Sequence, residues 1–246
     1  MMGEVIMSGI VPQLEAPSTG IVASELAVGS SVYLMENGSA VEYLVVNQGI
    51  PSGSSLYDSS CNGLWLLRKD VYQTTTWLTT YNNYMNNYQI TVLHENLNNS
   101  FFDLFDTITK EAIKQVKIPY VNGNGNATVA SGANGLSTKV FLLSGYEVGW
   151  TTSSNSGFPV DGACLDYFEG TATTDSKRVA YLNGVETGWW TRSPQKGQTS
   201  YAMGVYTNGG GYKNYQTSAA YGVRPALVLP DTALFDEKTL LFKGVS

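Results

Sequence analysis

The residues best able to do chemistry gather in the last quarter of the chain. Trp189-Trp190-Thr191-Arg192-Ser193-Pro194 is followed some thirty residues later by Tyr221-Gly222-Val223-Arg224-Pro225-Ala226-Leu227. An arginine brings five fixed N–H donors, which suit an anionic ligand or a set of loop carbonyls and carboxylates. Arg192 and Arg224 sit inside apolar blocks and read as structural guanidinium groups. Trp189 and Trp190 read as core anchors ahead of an Arg-Ser-Pro turn, with sugar stacking as the alternative. The segment between the blocks, Gln195 to Ala220, is built from Gly, Tyr, Asn, Thr, Ser, Gln and Lys. Rigid borders around a neutral Tyr/Asn/Ser/Gly stretch have the composition of a recognition surface. Tyr206, Tyr212 and Tyr215 flank the Asn208-Gly209-Gly210-Gly211 turn, spaced for exposure. Ordinary loop packing is the competing reading.

Other candidate chemistry is sparse. Asp161, Asp166 and Glu169 form an acidic trio with the oxygen ligands calcium prefers. Their spacing does not match an EF-hand loop, so the trio reads as a structural acidic loop and no metal is expected. A glycosidase needs two carboxylates facing each other across a cleft, and no motif marks such a pair. Ser193 lacks a nucleophile-elbow context and a plausible histidine partner. The single histidine, His94, lies beside an apolar stripe as a surface or boundary residue. Cys61 and Cys164 have no C-x-x-C spacing and read as free thiols, with a disulfide as the alternative.

The totals constrain what these residues serve. Of the 246 residues, 43% are hydrophobic, enough for a substantial core, whereas only 14% are charged. Polarity is carried instead by neutral hydrogen-bonding side chains, as in irregular β-rich domains. The net charge of −6 leaves no basic stripe to release counterions from nucleic acid or to meet an anionic membrane surface. Met1 to Gly20 has no basic region followed by a long apolar run. No signal peptide and no membrane span is therefore expected, which fits assembly into a particle made in a cytoplasm.

These residues need a scaffold. Residues 1–28 read as an extended arm with helix-breaking Pro12 and Pro17, either a strand of the same domain or a docking and oligomerisation arm. A compact domain is expected over 29–233 and a tail over 234–246. Ser31-Val32-Tyr33-Leu34 and Glu42 to Val46 read as strands of a hairpin turning at Asn37-Gly38. Leu64–Leu67 and Val140–Leu143 read as buried strands. Leu93, Leu97, Phe101 and Phe105 recur at i+4 and predict a helix over 91–106. A second helix is expected over 110–116, capped by Thr109, stapled by Ile108 and Ile113, and stopped by Pro119. Gly123–Gly135 and Gly145–Tyr181 read as irregular. Ala202–Val205 and Tyr212–Gln216 read as strands around the glycine turn, and Val223–Leu229 as one central strand.

Trp189-Trp190-x-Arg192-Ser193-Pro194, Ala202-x-Gly204-Val205 and Gly222-Val223-Arg224-Pro225-Ala226-Leu227 together resemble a bacterial and phage domain family of uncharacterised function. That family is similar to the C-type lectin fold of diversity-generating retroelement variable proteins, and to the formylglycine-generating enzyme fold. The helix with Leu97 and Phe101, the Val140–Ser144 run and Arg178-x-Ala180 fit the same order. The resemblance covers about Val28 to Leu229. It implies an α+β, C-type-lectin-like domain with short antiparallel strands, two helices and long irregular loops. It implies a ligand face between the two motifs, with Thr199, Ser200, Tyr201, Tyr206, Asn208, Tyr212, Asn214, Tyr215 and Thr217 as its contact residues. Most of these are what adenine-directed mutagenesis of Asn-type codons yields; Met203, Lys213 and Gln216 are not. The calcium-ligand motifs of lectins are missing, and so are the paired C-terminal cysteines that bind copper in the enzyme. The expectation is a non-enzymatic binding protein without cofactor, phage- or prophage-encoded, on a virion tail or bacterial surface. A cell-surface protein or glycan would be its partner, with homo-oligomer or virion assembly through the arm. A hydrolase or modifying enzyme with an acidic site in 145–190 and a purely structural virion or surface component are the alternatives.

Overall fold

A computed structural model describes residues 20–51, 55–77, 86–126, 128–150, 157, 159–172 and 174–246, the side chains of 212–216 excepted. Short strands and turns dominate. The first strands are β1 (Gly20–Val22), β2 (Ser31–Glu36), β3 (Ser39–Gln48), β4 (Leu64–Arg68) and β5 (Gln73–Thr75). Helix α1 (Val92–Asn96) and helix α2 (Thr107–Ala112) follow. Then come β6 (Val116–Ile118), β7 (Tyr120–Val121), β8 (Val129–Ala130), β9 (Leu136–Thr138) and β10 (Val140–Phe141). The last third holds β11 (Tyr181–Leu182), β12 (Val185–Glu186), β13 (Trp189–Pro194), β14 (Tyr201–Val205) and β15 (Gly211–Gln216). The chain closes with β16 (Tyr221–Val223), β17 (Ala226–Leu229), β18 (Ala233–Asp236) and β19 (Phe242–Val245). Mostly sheet with two short helices, this is an α+β or mainly-β arrangement.

Two five-stranded sheets carry the core, in the orders β10-β17-β4-β3-β2 and β15-β14-β13-β16-β5. The β2–β3 hairpin turns where the sequence places it. Asn37 and Gly38 adopt φ of 47° and 77°, the positive values a tight two-residue turn requires. The run read as one strand over Val223–Leu229 is two, one in each sheet. Pro225 brings no N–H to a ladder, and the chain steps from sheet to sheet at Arg224-Pro225. The neighbouring chain steps across at the same place, between β4 and β5. The two crossings are laced together by Arg68 N–H to the Pro225 carbonyl and Tyr72 N–H to the Val223 carbonyl, both 2.8 Å.

The helical stripe buries as its spacing predicts: Leu93, Leu97, Phe101 and Phe105 are all in the core. The helix itself is not uniform. After α1 the chain widens into a π turn over Leu97–Phe101 and tightens into a 3-10 turn over Phe102–Leu104. The widening contains Asn98, whose side chain leaves the helix to serve a strand edge. Its Oδ1 accepts from Lys139 N and Val140 N, and its Nδ2 donates to the Val140 carbonyl. Helix α2 corrects the predicted cap. Asp106 is the N-cap, its Oδ1 accepting from Thr109 N at 2.9 Å, and the helix ends at Ala112 rather than at Val116. The expected staple is not made, since Ile108 is 53% exposed.

Both ends of the described chain fold onto the domain. β1, from the segment read as an arm, pairs with β18, and β18 with β19, from the segment read as a tail. Ala23, Phe235 and Phe242 are buried there. Residues 1–19, with Pro12 and Pro17, lie outside the described residues. Among the described residues, no helix is long and apolar enough to cross a membrane.

Candidate functional site

The segment between the two arginine motifs is a hairpin laid on the edge of the second sheet. β13 is buried along its whole length. β14 pairs antiparallel with it, and β15 pairs outside β14 as the edge strand, with Tyr201 opposite Gln216 and Gly204 opposite Tyr212. Ala202, Met203 and Val205 are core residues, which explains why an apolar Met interrupts a neutral polar stretch. The turn closes with Tyr206 N–H to the Gly210 carbonyl at 2.7 Å. Its glycines are demanded by close approach. A Cβ on Gly209 (φ 78°) would come within 2.0 Å of the Asp175 carbonyl oxygen, and one on Gly211 within 2.9 Å of the Trp150 ring. The glycine run is a docked turn, not a loose one.

The predicted contact residues divide accordingly. Thr199, Tyr206 and Asn208 are exposed, Tyr206 by 40%, and Ser200 and Tyr201 are half-buried. The Asn208 Oδ1 accepts from Gly210 N at 3.0 Å, so this residue also shapes the turn. Thr217 corrects the expectation. It is buried, its N–H donates to the Ser200 carbonyl and its own carbonyl accepts Trp77 N–H. It closes the base of the hairpin and offers no ligand surface. The strand carrying Tyr212, Asn214 and Tyr215 is placed, but their side chains lie outside the described residues.

The borders are held by buried guanidinium groups. Arg192 commits all five N–H donors inside the protein. Nε donates to the Pro119 carbonyl, Nη1 to the Leu142 carbonyl and Glu147 Oε2, and Nη2 to Glu147 Oε1 and the Asp161 carbonyl, at 2.5 to 3.1 Å. Burial alone would lower its pKa, but the paired Glu147 carboxylate holds it above the ordinary value. Glu147 also accepts from Tyr57 Oη (2.7 Å) and Ser144 N (2.8 Å). Arg192 and Glu147 are both fully buried. Such a pair holds one geometry because removing either partner leaves a charge uncompensated.

Arg178 plays a similar part from the other side. It donates to the carbonyls of Gly209, Val148 and Ala172 and to Thr171 Oγ1, with its guanidinium over the Trp150 ring. It thereby fastens the glycine turn to the body. Arg224 sits at the joint between the sheets. Its Nε donates to the Arg68 carbonyl at 2.9 Å and its guanidinium lies over Trp189, 5.1 Å from the ring centroid. Burial lowers its pKa to about 10. Trp189 Nε1 donates to the Arg178 carbonyl, Trp190 Nε1 to the Thr75 carbonyl, and Trp190 packs edge-on against Trp77 and Tyr221. Both tryptophans are buried, where no sugar reaches them.

The acidic trio is dispersed between two environments. Asp161 is sealed inside, accepting Ser193 Oγ–H on Oδ2 at 2.7 Å, whereas Asp166 and Glu169 face solvent. Burial raises the Asp161 carboxyl to about 6 against the pull of Arg192 and the Ser193 hydrogen bond. Ser193 in turn accepts Gly145 N–H, so its hydroxyl is a tie between loops. Among the described residues, no three His, Cys, Asp or Glu side chains gather as metal ligands would. Both cysteines are free thiols; burial raises each to about 11. His94 packs 4.9 Å from Tyr88, and burial lowers its imidazole to about 4. Glu147 is the residue the sequence did not single out. A lone arginine in an uncharged run calls for a carboxylate, but nothing local selects one 45 residues away.

Residues 62–231 match the model of a family described as a domain of unknown function (DUF6273). No curated protein and no solved structure matches the chain.

Proposed function

The chain belongs to the DUF6273 family, and from that premise we propose that it is a non-enzymatic ligand-binding protein whose recognition surface is the β14–β15 hairpin. The reading adopts the resemblance to C-type-lectin-like variable proteins: a phage- or prophage-encoded domain on a virion or cell surface, presenting a tolerant segment to a cell-surface protein or glycan. One observation carries it. Every donor of Arg192 is satisfied within the protein, so the motif framing the hairpin serves rigidity, while Thr199 just before the hairpin and Tyr206 and Asn208 in its turn stay exposed. A fixed frame lowers the ordering cost of binding, and tyrosine adds contact area with few rotatable bonds. The acidic site of the enzyme alternative gains no such support, because Asp161 is enclosed and tied to Ser193.

The test is flow cytometry of the fluorescently labelled protein on a panel of bacterial cells. Wild type binds at least one strain, and the Tyr206→Ala/Tyr212→Ala/Tyr215→Ala variant loses that binding at unchanged Tm. Undiminished binding by the folded triple variant overturns the reading, as does a wild type that binds no strain.

A further inference from the structure

Beside the hairpin base lies a cleft of about 180 Å³ lined by Asn87, Asn122, Gly123, Asn124 and Asn126. Four of the five lining residues are asparagines, and none carries a charge. That volume holds about six waters at about 30 Å³ each, room for one sugar ring rather than a folded peptide.

Its polar groups are largely uncommitted. Asn87 Oδ1 accepts from Gln89 N, and Asn126 Oδ1 accepts from Thr128 N, which leaves both NH₂ groups to point elsewhere. The side-chain amides of Asn122 and Asn124 have no partner among the described residues. Each free amide offers two donors and a carbonyl acceptor. A pyranose hydroxyl is both donor and acceptor, so two adjacent hydroxyls match such an amide in both directions. An anion would find donors but no compensating charge.

The cleft is also built rather than incidental. Asn86, fully buried beneath it, donates from Nδ2 to the carbonyls of Gln198 and Tyr201 and accepts Asn124 N–H on Oδ1. Gly123 holds φ 68° with so little room that a Cβ would lie 2.4 Å from the Asn86 carbonyl oxygen. Gly125 N–H donates to the Gln198 carbonyl at 3.1 Å, and Gly197 N–H to the Gly125 carbonyl at 3.3 Å. These bonds fix the asparagine turn to the β13–β14 connection, immediately before Thr199. The cleft thus continues the recognition surface on a rigid mount.

We infer that the asparagine cleft is a subsite for one residue of a neutral carbohydrate, set beside the hairpin. The inference rests on the binding reading above and narrows its ligand to a glycan with uncharged hydroxyl-bearing units.

The experiment is a titration of ¹⁵N-labelled protein with methyl glucoside, methyl galactoside and methyl mannoside, and with glucuronate and glycerol as controls. The expected result is saturable shifts of the Asn122 and Asn124 side-chain amide signals with at least one methyl glycoside. Asn122→Ala/Asn124→Ala weakens that binding at least tenfold, about 1.4 kcal/mol, at unchanged Tm. No saturable shift with any glycoside overturns the subsite, as do equal shifts with glycerol, tighter binding of glucuronate, or undiminished binding by the double variant. The asparagine variant leaves the hairpin tyrosines intact. Retained cell binding by it, together with loss in the tyrosine variant, would remove the subsite and leave the hairpin reading standing.

Discussion

Asp161→Asn isolates what a buried carboxylate does to this fold. Asp161 is enclosed, with Oδ2 accepting from Ser193 and Oδ1 buried without a hydrogen-bond partner. Burial moves its carboxyl from an ordinary 3.8 to about 6. A raised acid favours the protonated fold, so stability is fullest below the unfolded pKa and falls as pH rises through the folded one. A shift of this size corresponds to about 3 kcal/mol in all, of which between about 2 and 3 kcal/mol is lost from pH 4 to pH 7.5. Asparagine keeps an acceptor for the Ser193 hydroxyl and cannot ionise. Its NH₂ stands where Oδ1 found no partner, which costs about 1–3 kcal/mol, but that cost is the same at every pH. Urea denaturation of both proteins at pH 4, 5, 6 and 7.5 separates the two effects. The variant is expected to gain on wild type by about 2 kcal/mol or more across the series. A difference that stays constant with pH, or that moves toward wild type as pH rises, refutes the reasoning.

Two further predictions use the same logic of enclosure. Gly209→Ala and Gly38→Ala both place a side chain at positive φ, but the first would meet the Asp175 carbonyl oxygen while the second meets nothing within 4 Å. Urea melts should show a loss of about 1 kcal/mol at position 38 and at least about 2 kcal/mol at position 209; equal losses would remove the docked-turn account. His94, packed on Tyr88, has its imidazole lowered from 6.5 to about 4. The unfolded chain therefore takes up the proton first, and stability falls as pH drops from 6.5 toward 4. The single imidazole signal in a proton NMR titration should stay at its neutral position down to about pH 5, and an ordinary midpoint near 6.5 would contradict its burial.

What the sequence revealed followed from local signals. Asn37-Gly38 between alternating runs specified a hairpin, because few residues other than Gly and Asn accept its backbone angles. The i+4 spacing of Leu93, Leu97, Phe101 and Phe105 specified a buried face, even though the backbone beneath it passes from α to π to 3-10 geometry. The glycine turn and its two strands were legible for the same reason. Long-range commitments were not. Thr217 has the composition of its exposed neighbours, yet backbone bonds to Ser200 and Trp77 draw it inside. The run Val223 to Leu229 is apolar throughout except for Arg224 and Pro225, and periodicity does not say that a chain changes sheets there. The partnership of Arg192 with Glu147 joins residues whose neighbours in sequence never hint at each other. Composition could say that an arginine buried among tryptophans needs acceptors, but only the fold could choose Glu147 for Arg192 and carbonyls for Arg178 and Arg224. That choice bears on the proposed function: Glu147 and the carbonyls of Pro119, Leu142 and Asp161 occupy Arg192, and Arg178 and Asn86 are committed to carbonyls around the hairpin, so the polar side chains lining the cleft at its base are neutral asparagines. If the proposed ligand docks in that cleft, recognition rests on hydrogen-bond geometry and shape rather than on charge, and salt should leave the binding nearly unchanged.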